Sequence, residues 1–223
     1  LTHAGGKLEK DKLKEIIKFC KKNNLKFFSM YGQTEASPRI SYLKPEFSEK
    51  KIGSIGKGMP ENKIYIIDSS GKKILKPFVE GEIICEGKNV FMGYSKNYND
   101  LKNANEENYK LNTGDLGFFD KDGFFYITSR ISKIAKIFGN RVDIGALESL
   151  MSQKGYKIAC LSDNKKIFIF IEKKYNKTNL INAISKITNL NIGSFELIKL
   201  KYLPRTSNNK ISYNELKKID ARL

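Results

Sequence analysis

No stretch of this sequence stays apolar for more than five residues, and the longest such run is Ile167-Phe168-Ile169-Phe170-Ile171. A membrane-crossing helix needs about 20 apolar residues, so the chain contains no candidate for an integral membrane segment. The opening LTHAGGKLEKDKLKEI likewise lacks the apolar core of a signal peptide. With 223 residues, 40% of them hydrophobic and 29% charged, the chain reads as a water-borne globular protein of one or two domains, long enough to bury a sizeable core.

The short segments follow two periods. Residues 9–22 place Leu13, Ile16, Ile17 and Cys20 at the i, i+3, i+4, i+7 spacing of an amphipathic helix. Residues 26–30 read as a buried strand. Residues 31–37 read as a polar loop containing Gly32, at the strand end where ligands sit in open α/β sheets. Between 52 and 128 the β-rich runs 63–67, 82–85, 116–119 and 124–127 alternate with turn clusters. Among these clusters Asp120-Lys121-Asp122-Gly123 reads as a hairpin turn, because glycine supplies the positive φ. The polar stretch 95–110 reads as a long surface loop.

A boundary falls around residues 129–133. Beyond it, strands at 134–138, 157–161, 166–171 and 195–200 alternate with helices near 144–153 and 179–188. A last helix starts at Ser212, with Glu215 at the capping-box spacing. The expected fold is mixed α/β and α+β: an α/β part with a small antiparallel β subdomain over residues 1–131, then a small α+β domain over residues 132–223.

Three scattered cysteines, Cys20, Cys85 and Cys160, form neither a disulfide framework nor a CxxC metal site, and fit a reducing, cytoplasmic setting. His3 is the only histidine, which argues against most zinc sites and against a Ser-His-Asp triad. The net charge of +17 is spread singly and in pairs with no long basic block. Aromatic residues do not interleave with the lysines as a stacking platform, so the charge points to small polyanions rather than nucleic acid.

Four short segments carry residues suited to a nucleotide. In Tyr31-Gly32-Gln33-Thr34-Glu35 a ring can stack on a base, a hydroxyl can donate to a phosphate and a carboxylate can hold Mg²⁺. Asp115, in Thr113-Gly114-Asp115, can accept from both hydroxyls of a ribose. Arg130 and Arg141 flank the boundary and can clamp a phosphate. Lys210, in a polar loop before the last helix, can neutralise charge at a phosphoryl centre. Taken singly, each also reads as a common turn or a solvated surface group.

Their order narrows the choice. AGGKL at 4–8, YGQTE at 31–35, GSIGKGMP at 53–60 and EGEIICEGKNVFMGY at 80–94 come first. NTGDLG at 112–117, SRISKIAKIFGNRVDIGALE at 129–148 and LPRTSNNKISYNEL at 203–216 follow. This series resembles the C-terminal half of the adenylate-forming (AMP-binding) enzymes, the superfamily of acyl-CoA synthetases, peptide-synthetase adenylation domains and firefly-type luciferases.

The resemblance implies an acid–thiol ligase using ATP and Mg²⁺. A carboxylic acid becomes acyl-AMP, and coenzyme A or the phosphopantetheine of an acyl or peptidyl carrier protein then displaces AMP. It also implies roles. Tyr31 resembles the adenine-stacking residue, Thr34 the phosphate contact and Glu35 the metal ligand, with Gly32 within the same loop. Asp115 matches the ribose ligand, Arg130 and Arg141 the arginines near ribose and phosphate, and Lys210 the lysine of the adenylation step. Gly5 and Gly6 resemble the turn lining the acyl and adenine pocket, and Gly139 the glycine beside the thiol tunnel. In this family the C-terminal domain is a mobile lid that rotates between the two steps. Ser132 stands at its hinge, where relatives usually carry Asp or Lys. Ser129 replaces a common Gly, and Asn209 stands where Gly usually precedes the lysine.

The family's Ser/Thr/Gly-rich phosphate loop lies upstream of AGGKL and is absent from this sequence. The expectation is therefore that the chain alone makes little or no acyl-AMP, and that a missing N-terminal chain is its possible partner. The alternatives are an amino-acid or acyl carrier-protein ligase and a non-catalytic adenylate-binding remnant.

Overall fold

A computed structural model describes residues 1–6, 8–103, 109–163, 165–172, 175–207 and 209–220. Lys7 of the AGGKL segment, residues 104–108 of the expected 95–110 loop and Asn208 of the lysine loop lie outside the described residues. The chain divides into two compact units, Leu1–Thr128 and Ser129–Leu223.

The first unit contains two four-stranded sheets. In the first sheet β1 (Thr2–His3) runs parallel to β2 (Phe28–Tyr31), with helix α1 (Lys10–Lys22) as the crossover between them. Antiparallel β3 (Ser41–Leu43) and β4 (Lys57–Gly58) complete it. Helix α1 buries Leu13, Ile17 and Cys20 against Phe27, so its apolar stripe becomes the contact that docks it. The second sheet runs β5 (Lys63–Ile67), β6 (Gly81–Glu86), β7 (Lys110–Phe119), β8 (Phe125–Arg130). A core of Ile40, Ile55, Ile66, Ile83, Cys85, Leu111 and Phe125 lies against Tyr31 and Ala36. The Asp120–Gly123 turn forms as expected: the Gly123 amide donates to the Asp120 carbonyl at 3.0 Å and Gly123 has φ +75.

The second unit opens with a hairpin, β9 (Ile134–Ile137) and β10 (Asn140–Asp143). Phe138 and Gly139 form its two-residue tip with φ +47 and +82, the left-handed pair that a tight hairpin needs. Helix α2 (Ile144–Gln153) follows, its N-terminus capped by the Asp143 carboxylate, which accepts from the Ala146 amide. A three-stranded sheet has β12 (Ile167–Glu172) at its centre, antiparallel to β11 (Ile158–Ser162) and parallel to β13 (Phe195–Leu200). The parallel crossover is helix α3 (Lys177–Thr188).

The five-residue apolar run is this central strand, and the alternation of a strand divides its side chains between two cores. Ile167, Ile169 and Ile171 face α2 and α3 through Leu147, Met151, Leu180 and Ile184. Phe168 and Phe170 face Leu203 and Leu216, the latter on α4 (Tyr213–Ile219). Each fully buried Ile or Phe contributes about 1.5–3 kcal/mol.

Three expectations are corrected. Residues 140–143 form a strand that sequence periodicity missed, because Val142 is their only apolar side chain. Residues 110–115 belong to the long strand β7, which starts before the expected 116–119 run. Ser212 occupies the N-cap of α4 but its side chain makes no capping bond, so the capping box is not formed.

Candidate functional site

The carboxyl ends of β1 and β2 lie side by side because the two strands are parallel. Gly5 and Gly6 follow the first and Tyr31-Gly32-Gln33-Thr34-Glu35 follows the second. This is the edge of an open sheet where ligands bind. The Tyr31 loop folds back at once: the Ile40 amide donates to the Tyr31 carbonyl at 2.9 Å, around a 3-10 turn over Thr34–Ala36. A Cβ on Gly32 would stand 1.7 Å from the Pro38 carbonyl oxygen, so only glycine permits this closure. Asn89 clamps the far side, its amide donating to the carbonyls of Ala36 at 2.7 Å and Arg39 at 2.9 Å.

Asp115 reaches the same place from the second sheet. Glu82 pairs with Leu116 while Ile84 pairs with Asn112, so β7 bulges at Thr113-Gly114-Asp115. Gly114 takes φ +69 within the bulge and its amide donates to Glu82 at 3.1 Å. Thr113 ties the bulge down, its hydroxyl donating to the Ile83 carbonyl at 2.7 Å and accepting from the Asp115 amide at 3.1 Å. Gln33 donates to the Thr113 carbonyl at 3.2 Å and links the bulge to the loop.

The result is a buried pair: the Tyr31 hydroxyl donates to the Asp115 carboxylate at 2.6 Å. Both residues are less than a tenth exposed. Burial, then the Asp115 charge and hydrogen bond, push the Tyr31 phenol far above its ordinary value. The ring of Tyr31 packs within the core of the unit. Thr34 is exposed and Glu35 half-buried on the 3-10 turn. Glu35 accepts from the Tyr94 hydroxyl, and its carbonyl accepts from the Phe91 amide at 2.8 Å. Among the described residues no cluster of three or more His, Cys, Asp or Glu side chains could hold a metal ion.

In the second unit the exposed Gly139 and Arg141 share the β9–β10 hairpin. Arg130 is exposed at the end of β8. Exposed Lys210 ends a loop closed by the bridge Arg205↔Ile211, with the Thr206 amide donating to the Lys210 carbonyl at 2.8 Å. Asn209 takes φ +59, so it supplies the left-handed residue that the loop needs. Sequence reasoning missed Asn89 and Tyr94, which brace the Tyr31 loop. Both lie within a segment read only for its order, and polar side chains in such a segment carry no periodic signal.

Three comparisons with known proteins bear on these residues. Residues 2–95 match the family described as AMP-binding enzyme. The 2-succinylbenzoate–CoA ligase of Bacillus subtilis (strain 168) is 31% identical over 220 residues, which is 93% of this chain and 43% of that protein. Among solved structures, the O-succinylbenzoate coenzyme A synthetase of Bacillus subtilis in complex with ATP and magnesium ion is similar, with TM-score 0.68 and 27% identity over 97% of this chain and 46% of that one. The same enzyme with its acyl-adenylate intermediate gives TM-score 0.70 and 28% identity over 97% and 45%. The chain thus spans less than half the length of each relative.

Proposed function

We propose that this homologue of the adenylate-forming enzymes is the part of an ATP-dependent acid–CoA ligase that holds the nucleotide and presents the groups for both half-reactions. In such a ligase a carboxylate oxygen attacks the α-phosphorus of ATP, giving acyl-AMP and pyrophosphate. A thiol then attacks the acyl carbon, giving a thioester and AMP. The observation that carries this reading is the Tyr31–Asp115 pair beside the glycine loops at the carboxyl ends of two parallel strands.

Asp115 is the ribose ligand in this reading, and the Tyr31 hydroxyl fixes the orientation of its carboxylate before the nucleotide arrives. Such pre-organisation removes an ordering cost from binding. Thr34, exposed on its turn, faces a phosphate. Glu35 is the carboxylate that would hold Mg²⁺. A single carboxylate fits an ion that arrives with nucleotide phosphates, which take the remaining positions; bound there, the ion would neutralise phosphate charge. Gly5 and Gly6 line the acyl and adenine side. On the second unit, Lys210, Arg141 and Arg130 are the exposed cations that supply positive charge for adenylation, and Gly139 leaves its hairpin tip without a side chain for the thiol step. Coenzyme A is favoured over a carrier protein as acceptor because the curated relatives are named as CoA ligases.

Calorimetric titration of the purified chain with AMP tests the reading. Binding is expected, and Asp115→Ala should weaken it by about tenfold or more through the lost charged hydrogen bonds. A folded wild-type chain that binds no AMP overturns the proposal. The same chain should give no ATP–pyrophosphate exchange, since it spans less than half of the relatives it matches.

A further inference from the structure

The second unit contains a knot of ionisable side chains outside the nucleotide motifs' assigned roles. Glu148, on the inward face of α2, has a side chain only 16% exposed. It receives the Lys133 ammonium at 3.1 and 3.2 Å, the Tyr213 hydroxyl at 2.9 Å and the Cys160 backbone amide at 2.6 Å. The same ammonium lies 3.4 Å from the centroid of the Tyr213 ring. One carboxylate therefore joins the segment before β9, helix α2, strand β11 and the first residue of α4. Cation, hydroxyl and amide together provide the pairing that a carboxylate at this depth requires.

Tyr213 comes three residues after Lys210, and the lysine loop runs directly into it. The loop has its own turn: the Asn209 amide donates to the Thr206 carbonyl at 2.9 Å, and Arg205 donates to the Asn209 carbonyl at 2.8 Å. At its far end Ser212 makes no side-chain cap, and α4 has only seven residues. A helix so short and uncapped does not hold its own start. Leu216 anchors its body in the core, and the Tyr213 hydroxyl on Glu148 is the polar anchor of its first turn.

We propose that Glu148 is a positioning residue: by receiving Tyr213 and Lys133 together, it fixes the start of α4 and with it the loop that presents Lys210. The importance of Lys210 rests on the ligase reading, whereas the anchoring does not. Hydrogen exchange on the whole chain without nucleotide tests it, so failure here leaves the AMP titration untouched.

In Tyr213→Phe, which removes one oxygen, the amides of Thr206 and Asn209 should exchange about tenfold faster, as expected for loss of a hydrogen bond to a charged group. The amides of β12, which exchange on opening of the whole unit, report the accompanying loss of stability and should speed by no more than a similar factor. Glu148→Gln keeps an acceptor for Tyr213 and should restore most of the protection lost in Glu148→Ala. Loop amides that exchange as in the wild type in Tyr213→Phe, while the amides of β12 speed up, overturn the proposal, because the loop then opens without breaking the anchor.

Discussion

A tyrosine–carboxylate pair stands out in each unit, the buried Tyr31–Asp115 in the first and the half-buried Tyr213–Glu148 in the second. The two are built from opposite ends. The first is set by backbone: a bulge turns Asp115 inward, and a loop that only glycine permits brings in Tyr31. The second is set by side chains: a carboxylate on the buried stripe of a helix collects a cation, a hydroxyl and an amide from three other elements. Backbone placement gives a fixed carboxylate at the end of β2, suited to meeting a ligand. Side-chain placement gives a hub that holds its neighbours together.

The comparison breaks most sharply at Gly32. Replacing it by Ala forces the Pro38 carbonyl away and should cost on the order of 3 kcal/mol or more, with loss of the first unit's cooperative melt and of AMP binding. If calorimetry shows an unchanged melt, the backbone account of the first pair fails.

Glu148→Ala comes next. The pair is partly solvated, so the loss should be about 2 kcal/mol, read in the exchange of the most protected amides of the second unit. Tyr31→Phe should cost about 1.5 kcal/mol in the first unit, the value of one hydrogen bond to a charged group.

Alkaline pH sharpens the same point. Burial, followed by the neighbouring carboxylate, raises both phenols above their ordinary 10.0. The folded state therefore keeps protons that the unfolded chain releases, and stability falls as pH rises through 10. Tyr31→Phe should flatten that fall in the first unit and Tyr213→Phe in the second, and a fall unaltered by either substitution would exclude the pairs as its source. The smallest effect is at Phe138, a bulky residue at φ +47. Phe138→Asn should stabilise the hairpin by roughly 0.5 kcal/mol, seen in denaturant melts, because Asn accepts the left-handed position.

The same contrast explains what the sequence made legible. Periodic apolar residues announced α1, α2 and β12, whose side chains meet the cores they were expected to meet. The expected strand began only at 116, because Gly114-Asp115 also has turn chemistry, and pairing with β6 shows that the strand runs through the bulge at Asp115. Strand β10 was hidden because it pairs as a hairpin arm with a single buried apolar residue. Glu148 closes the segment 129–148, whose order alone assigns it no role. Its signal was available: it lies four residues after Ile144 and three before Met151, on the buried stripe of α2. A charged residue in such a register needs partners, but the sequence does not say that these are Lys133 and Tyr213.

The burial of β12 on both faces has a consequence for the life of the protein outside its native state. Ile167-Phe168-Ile169-Phe170-Ile171 has the composition of a cross-β template: strongly strand-forming, uncharged and free of proline. Only the folded neighbours β11 and β13, and the helices over them, keep it from pairing with another copy. Lys165 and Lys166 before it and Lys173 and Lys174 after it are placed in sequence as gatekeepers, whose repulsion opposes stacking. Newly made or heat-opened chains should therefore aggregate from this segment first, and chaperones that engage the chain should engage it there.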